Sequence, residues 1–147
     1  MSTVGVLLDT HALVWWLFDD PRLSDKARTW IASTDSVYVS AASIYEIDAK
    51  RRPIKQQVAK GRPRRSKDDS DLLLLRMPAN MPGSLPTFGM QLLDITPQVA
   101  WRAARLPFDH RDPWDRILVA QARILKVPLI SCDRHLLAQA ADTPIIW

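Results

Sequence analysis

The chain alternates between short apolar runs and longer segments whose apolar residues recur at helical spacing. The short runs are rich in Val, Ile and Leu and are bounded by polar residues, a pattern that is typical of strands. The run at 4–8 is apolar throughout, which favours a strand buried on both faces. Strands are predicted at residues 4–8, 37–40, 91–95 and 129–130, with an edge strand at 144–147.

The segments between these strands carry helix signals, because several open with a capping residue or a proline and then continue with helical spacing. Helices are predicted over residues 12–17, 24–31, 44–49, 71–76, 96–104, 112–125 and 133–140. Residues 52–67 contain Pro53, Gly61 and Pro63 without a clear period, so they are predicted as loop, and 78–86 as an irregular connection. Strands that alternate with helices favour a parallel α/β sheet with right-handed crossovers.

The segment HRDPWDRILVAQARILKVPL at 110–129 is the most informative part of the chain. Pro113 suits the first helical position, where a missing N–H costs nothing, and Asp112 before it can cap free N–H groups. Asp115 lies in the first turn of the same helix. The strand that follows ends at Ser131-Cys132-Asp133, so acids stand before this helix and after the next strand.

In open parallel sheets, ligands gather outside the carboxyl ends of the strands. Acidic residues recur where the chain reaches that edge, namely Asp9, Glu46, Asp112, Asp115 and Asp133. Clustered carboxylates repel one another unless cations or protons neutralise them. Hard ions such as Mg²⁺ and Mn²⁺ prefer oxygen ligands, and one or two of them activate water for attack at phosphorus. The set therefore favours a metal site that hydrolyses phosphodiesters.

Each acid also has a structural explanation as part of a helix cap. Asp9, Asp112 and Asp133 each stand just before a predicted helix. Ser43 and Glu46 match the spacing of a capping box. Against this explanation, Glu46 is the only glutamate in the chain, and Asp9 and Asp133 end apolar strands rather than polar turns. Both explanations stay open at this point.

Of the neighbouring pair, Asp112 has the better cap geometry, so Asp115 is the better metal ligand and Asp112 an alternate one. Thr10 and Ser131 adjoin acids and could hold a ligand carboxylate or a water molecule. Trp114 lies in the turn that faces the predicted site and is the one aromatic side chain to test for base stacking. The other tryptophans fall at helical spacing and are more typical of core or partner surface.

The charge of the chain is concentrated in one stretch. The net charge is +4, but residues 50–67 hold nine lysines and arginines and no acid, which leaves the remainder net acidic. Such a block attracts nucleic-acid backbones, although a solvated basic loop would look the same. The residues predicted to contact RNA are Lys50, Arg51, Arg52, Arg62, Arg64 and Arg65.

Length and composition are those of one globular domain, 1–147, with a basic irregular insertion near 51–67. A single cysteine excludes an internal disulfide framework and fits a reducing cytoplasm. The first residues lead directly into an apolar strand without the basic region of a secretory signal, and no apolar run is long enough to span a bilayer. A cytoplasmic protein is predicted.

Four motifs resemble the PIN-domain family, and within it the VapC-type toxins of toxin–antitoxin pairs. They are LLDTHALVWWL at 7–17, VSAASIYEI at 39–47, LPFDHRDPWDRILVAQA at 106–122 and LISCD at 129–133. The resemblance covers nearly the whole chain in the same order. The segment from 51 to 67 departs from it, because this stretch looks longer and more basic than in such relatives.

The resemblance implies a three-layer α/β/α sandwich with a central parallel sheet. It also implies a Mg²⁺- or Mn²⁺-dependent endoribonuclease that pairs as a homodimer and is inhibited by a VapB-like antitoxin. The family's catalytic acids fall on Asp9, Glu46, Asp115 and Asp133.

Two other functions are alternatives to an endoribonuclease. One is a nucleic-acid-binding or regulatory module of the same fold that lacks catalysis, and the full set of acids argues against it. The other is a phosphotransfer domain, which would need a second Asp two residues after the first strand-end Asp, where His11 stands, or an acidic pair after the first strand.

Overall fold

A computed structural model of the chain describes residues 5–61, 70–107, 109, 112–139 and 142–147. The start of the first predicted strand, Val4, and the end of the last predicted helix, Ala140, lie outside these residues. Within the described residues the strands are β1 (Val6–Leu8), β2 (Val37–Ser40), β3 (Met90–Leu93), β4 (Leu129–Ile130) and β5 (Ile145–Ile146).

The helices of the described part are α1 (Thr10–Leu17), α2 (Asp25–Ser33), α3 (Ala41–Ala59), α4 (Ser70–Arg76), α5 (Met81–Ser84), α6 (Pro97–Ala104), α7 (Pro113–Leu125) and α8 (Arg134–Gln139). A 3₁₀ turn over Leu85–Phe88 follows α5. The connection predicted as irregular therefore contains two short helical turns. None of these helices is long and apolar enough to cross a membrane.

The described strands form one parallel sheet in the order β3-β2-β1-β4-β5. In its register Leu8 is paired with Val39 on one side and with Ile130 on the other. The prediction of a parallel α/β sheet is confirmed. Because the chain moves outward from β1 to β2 and β3 and then returns to β4, the order reverses beside β1.

The central strand β1 separates two apolar cores. Val6 and Leu8 pack on one face with residues of α1, α2 and α3, while Leu7 packs on the other face with Leu118 and Val119 of α7. All three β1 side chains are completely buried. Helices thus cover both faces of the sheet, which confirms the α/β/α sandwich.

Helix α3 is longer than the sequence pattern predicts, because it continues through Pro53 to Ala59. The prediction of a loop is therefore wrong for residues 52–59. A proline removes one N–H and crowds the preceding turn, but the helix is anchored before it by the buried side chains of Ile47 and Arg51. Gly61, with a φ of 66°, stands just after the helix in the left-handed conformation that commonly ends one.

Candidate active site

The reversal of strand order places a crevice beside the carboxyl ends of β1 and β4, where ligands bind in open α/β sheets. Asp9 follows β1 directly, and its N–H donates to the carbonyl of Ile130 in β4 at 3.0 Å. Asp133 follows β4 by three residues. Two of the predicted acids are thus delivered to one edge by neighbouring strands.

Asp9 is buried, with 7% of its surface exposed. Its carboxylate caps α1 by accepting the Ala12 N–H at 2.8 Å, and it also accepts a hydrogen bond from the Ser131 hydroxyl. Burial raises the pKa of Asp9 against the lowering effect of these bonds, and the charge of Glu46 raises it further. Asp9 is therefore a cap as predicted, but it is also a carboxylate held in an environment that disfavours its charge.

Ser131 joins two of the acids. It is completely buried, and besides donating to Asp9 its hydroxyl accepts the Asp133 N–H at 3.1 Å. The carboxylate of Asp133 in turn accepts the His135 N–H at 2.9 Å at the start of α8. The predicted supporting role of Ser131 thus has a geometric basis, because this hydroxyl fixes Asp9 relative to Asp133.

Glu46 reaches the same edge from α3. This helix is capped by Ser40, whose hydroxyl accepts the Ala42 N–H at 3.0 Å, so the capping box proposed for Ser43 and Glu46 is wrong. Ser43 is instead buried and accepts a hydrogen bond from the Thr10 hydroxyl at 3.2 Å. Since Glu46 caps nothing, its carboxylate is available to the site.

The two acids at the start of α7, Asp112 and Asp115, differ in their roles. Asp112 is the N-cap and accepts the Trp114 N–H at 2.9 Å. Burial of Asp115, together with the charges of the four other acids, raises its pKa to about 7. These charges belong, in order of effect, to Asp112, Asp133, Asp9 and Glu46. The charge of every other predicted ligand therefore acts on the Asp115 carboxyl.

A cavity of about 280 Å³ brings the predicted acids together. It is lined by Asp9, Thr10, His11, Glu46, Lys50, Asp112, Asp115, Cys132 and Asp133. Lys50 is the cation in this set, and its Nζ lies 3.4 Å from the Glu46 carboxylate. The excess of carboxylates gives the cavity a strongly negative potential.

The donor set fits Mg²⁺ or Mn²⁺, because carboxylate oxygens are the ligands that hard divalent ions prefer. Among the described residues, however, no three Asp, Glu, His or Cys side chains are arranged so that they could hold an ion as they stand. The carboxylates share a cavity without converging on one point.

The basic residues predicted to contact RNA divide into three groups. Lys50 lines the acidic cavity, and Arg52 is exposed on α3. The prediction for Arg51 is wrong, because this side chain is buried at 2% exposure and its guanidinium donates to backbone carbonyls of residues 77–79. The predicted contacts Arg62, Arg64 and Arg65 lie outside the described residues.

Sequence reasoning gave no site role to Tyr45, which contacts Trp114 with 4.9 Å between ring centroids. The available signal was its position directly before Glu46, which mirrors that of Trp114 directly before Asp115. His11 and Cys132 also line the cavity, and burial raises the pKa of the Cys132 thiol.

These features define an α/β protein with a carboxylate-rich cavity at the point where its strand order reverses. The sequence profile of the PIN domain matches residues 6–81, and the chain belongs to the PIN domain family. That match ends before α7, so the candidate roles of Asp115 and Asp133 rest on the cavity geometry.

Several proteins are similar to this chain over nearly its whole length. Ribonuclease VapC22 of Mycobacterium tuberculosis (strain ATCC 25618 / H37Rv) is 29% identical over 144 residues, which is 97% of this chain and 98% of that protein. The fold is similar to that in the crystal structure of FitAcB from Neisseria gonorrhoeae, with a TM-score of 0.59, 19% identity and 95% of both chains covered. It is also similar to that of VapBC2 from Rickettsia felis bound to a promoter DNA fragment, with a TM-score of 0.58, 9% identity and 96% of both chains covered.

Proposed function

We propose that this protein is a VapC-type endoribonuclease that hydrolyses RNA phosphodiester bonds in the acidic cavity. The observation that carries the proposal is the meeting of acids from separate parts of the chain in one cavity at the carboxyl edge of β1 and β4. The full-length similarity to a protein named as a ribonuclease supports the same conclusion.

Asp9, Glu46, Asp115 and Asp133 are the proposed catalytic carboxylates, and with Asp112 they form the proposed ligand set for one or two Mg²⁺ or Mn²⁺ ions. Such ions supply Lewis acidity that activates water and offsets the charge that develops at phosphorus. Ser131 fixes the position of Asp9 relative to Asp133. Asp112 fixes the turn from which Asp115 projects.

Lys50 has a separate role at the mouth of the cavity. Its ammonium group pairs with Glu46 at 3.4 Å, and about half of its side chain is exposed. A phosphate that enters the cavity must pass several carboxylates, and Lys50 offers a compensating positive charge. We assign Lys50 to orienting both Glu46 and the phosphate of the substrate.

The same proposal covers the partners and the cellular context. Solved relatives of this fold are toxin–antitoxin complexes, so we propose a VapB-like antitoxin as the inhibitor of this protein. We further propose that residues 1–147 form a single domain, with a basic extension at 51–67, that works as a homodimer in the cytoplasm.

The cleavage reaction is expected to require a divalent ion. Purified protein incubated with a mixed RNA substrate should cut it in Mg²⁺ or Mn²⁺ and should leave it intact in excess EDTA, as followed by gel electrophoresis of end-labelled RNA. Equal cleavage in EDTA would contradict the proposed use of the carboxylates. Metal binding without cleavage of any RNA would favour the non-catalytic module.

Arg52 is expected to contact the RNA backbone, because its side chain is 76% exposed on the basic helix α3. Arg52→Gln should reduce the slope of log binding affinity against log salt concentration by about 0.7, the value for one lost phosphate contact on single strands. Lys126→Gln is the matched control, since Lys126 is exposed at the far end of α7. An equal change in both variants would mean that only net charge matters.

A further inference from the structure

Two aromatic rings meet between α3 and α7, and each stands one residue before an acid that lines the acidic cavity. Tyr45 of α3 and Trp114 of α7 lie with their ring centroids 4.9 Å apart and their planes tilted by 36°. The Trp114 side chain is half-buried, whereas 60% of Tyr45 is exposed. Trp114 therefore supports one side of a ring that is otherwise open to solvent.

The two aromatic residues are adjacent in sequence to two of the proposed catalytic acids. Tyr45 directly precedes Glu46, and Trp114 directly precedes Asp115, so the aromatic pair and the carboxylate pair project from the same turns of α3 and α7. Glu46 and Asp115 line the acidic cavity, so the ring pair lies one residue along the chain from two of its acids.

A second cavity, of about 710 Å³, opens beside Tyr45 between α3 and the start of α5. Small and apolar side chains such as Ala41, Ile44 and Ala49 form part of its wall, and Arg52 and Asn80 add polar groups. A space of this size accepts a nucleoside, and its wall offers an aromatic face, apolar surface and Arg52, which is paired with Asp48 of the same wall at 3.1 Å.

We propose that Tyr45 is a stacking platform for the base of a nucleotide that flanks the cleaved phosphate, with the base seated in this second cavity. The inference rests on the proposed ribonuclease function and extends it to a base subsite. Aromatic stacking suits single-stranded RNA because every base has a π-face, and the nearby cations Lys50 and Arg52 suit its backbone. The contact with Trp114 already orders the Tyr45 ring, which lowers the entropy cost of stacking.

Loss of the ring is expected to weaken substrate binding. Tyr45→Ala should raise KM by about five- to a hundredfold, the range for one base stacked on an aromatic side chain, with kcat little changed. Tyr45→Phe keeps the ring and should restore wild-type KM. Trp101→Ala is the matched control, because Trp101 is 67% exposed on α6 and lines neither cavity.

A substrate with one abasic nucleotide provides the decisive comparison. If the missing base is the one that stacks on Tyr45, the abasic substrate should raise KM for the wild type but should cause little further rise for Tyr45→Ala. Fully additive effects at every abasic position near the cleavage site would overturn the proposal, because ring and base would then act independently.

A binding measurement separates this inference from the catalytic proposal. In EDTA, short single-stranded RNAs that carry 2-aminopurine should lose fluorescence with wild-type protein and with Tyr45→Phe, and much less with Tyr45→Ala. That result supports the subsite even if no RNA is cleaved. Equal quenching in all three proteins would overturn it. So would sedimentation showing that Tyr45→Ala only converts a dimer to a monomer while RNA affinity is unchanged, since a second copy of the chain would then cover the ring.

Discussion

Replacing Asp115 by Asn is expected to abolish RNA cleavage and, in the absence of metal, to make the protein more stable. The activity should fall by about a hundredfold or more, the scale observed when one preorganised polar group is removed from a reacting centre. Asn keeps the shape of the side chain but removes the charge that would hold a divalent ion. Single-turnover cleavage of labelled RNA in Mg²⁺ measures the loss.

The gain in stability follows from the electrostatics of the cavity. Burial and the four neighbouring acids raise the pKa of Asp115 from 3.8 to about 7 in the folded protein. A carboxyl whose folded pKa is raised favours folding when it is protonated, so its contribution is full below pH 3.8 and is lost as the pH rises through about 7. The neutral Asn variant should therefore have the higher melting temperature at pH 8 in EDTA, and the difference should shrink toward pH 5.

Asp25→Asn provides the control, because Asp25 also lies in the first turn of a helix but is exposed and far from the cavity. It should change neither cleavage nor the pH dependence of melting. A lower melting temperature for Asp115→Asn in EDTA would contradict the argument. It would mean that Asp115 acts mainly as a favourable negative charge at the start of α7.

The meeting of the acids was predictable because it depends on local pattern and on one rule of topology. Apolar runs that end in Asp9 and Asp133 predict strands with acids at their carboxyl ends, and parallel strands place those ends at one edge. The Asp-Pro start of α7 places Asp115 without reference to the remainder of the fold. The assignment of these acids as metal ligands stays a prediction. They share one cavity, but no three of the described side chains are placed to bind an ion.

The errors concern features that depend on contacts between distant parts of the chain. Pro53 predicts the end of a helix, but the tertiary anchoring of the preceding turns lets α3 continue past it. The contact between Tyr45 and Trp114 joins residues that are far apart in sequence, and the one signal in each segment is that the aromatic residue directly precedes an acid. Arg51 looks like its neighbour Arg52 in the sequence, and only the packing of the 77–79 segment distinguishes them.

This difference between Arg51 and Arg52 leads to the largest expected effect on stability. The buried guanidinium of Arg51 donates to the carbonyls of Met77 at 3.1 Å, Pro78 at 2.9 Å and Ala79 at 3.3 Å. Its Nε also donates to the Asp48 carboxylate at 2.8 Å, and this bond is the largest of the effects that lower the Asp48 pKa. Arg51 therefore fixes the segment before α5 against α3.

Arg51→Met keeps much of the side-chain volume but removes the donor from these carbonyls, of which the contact to Met77 is buried and those to Pro78 and Ala79 are part-buried. The free energy of unfolding should fall by about 1–3 kcal/mol, the cost of one buried polar group left unpaired, because water can reach the other two carbonyls. The melting temperature should drop by about 2–4 °C for each kcal/mol, as measured by circular dichroism. Arg52→Met is the matched control, because Arg52 is adjacent, bonds to the same Asp48 and is 76% exposed, so it should change little. Equal destabilisation by the two variants would show that the shared ion pair matters more than the carbonyl contacts. Because Arg51 is buried and Arg52 is exposed, we expect only Arg51→Met to loosen the wall of the second cavity.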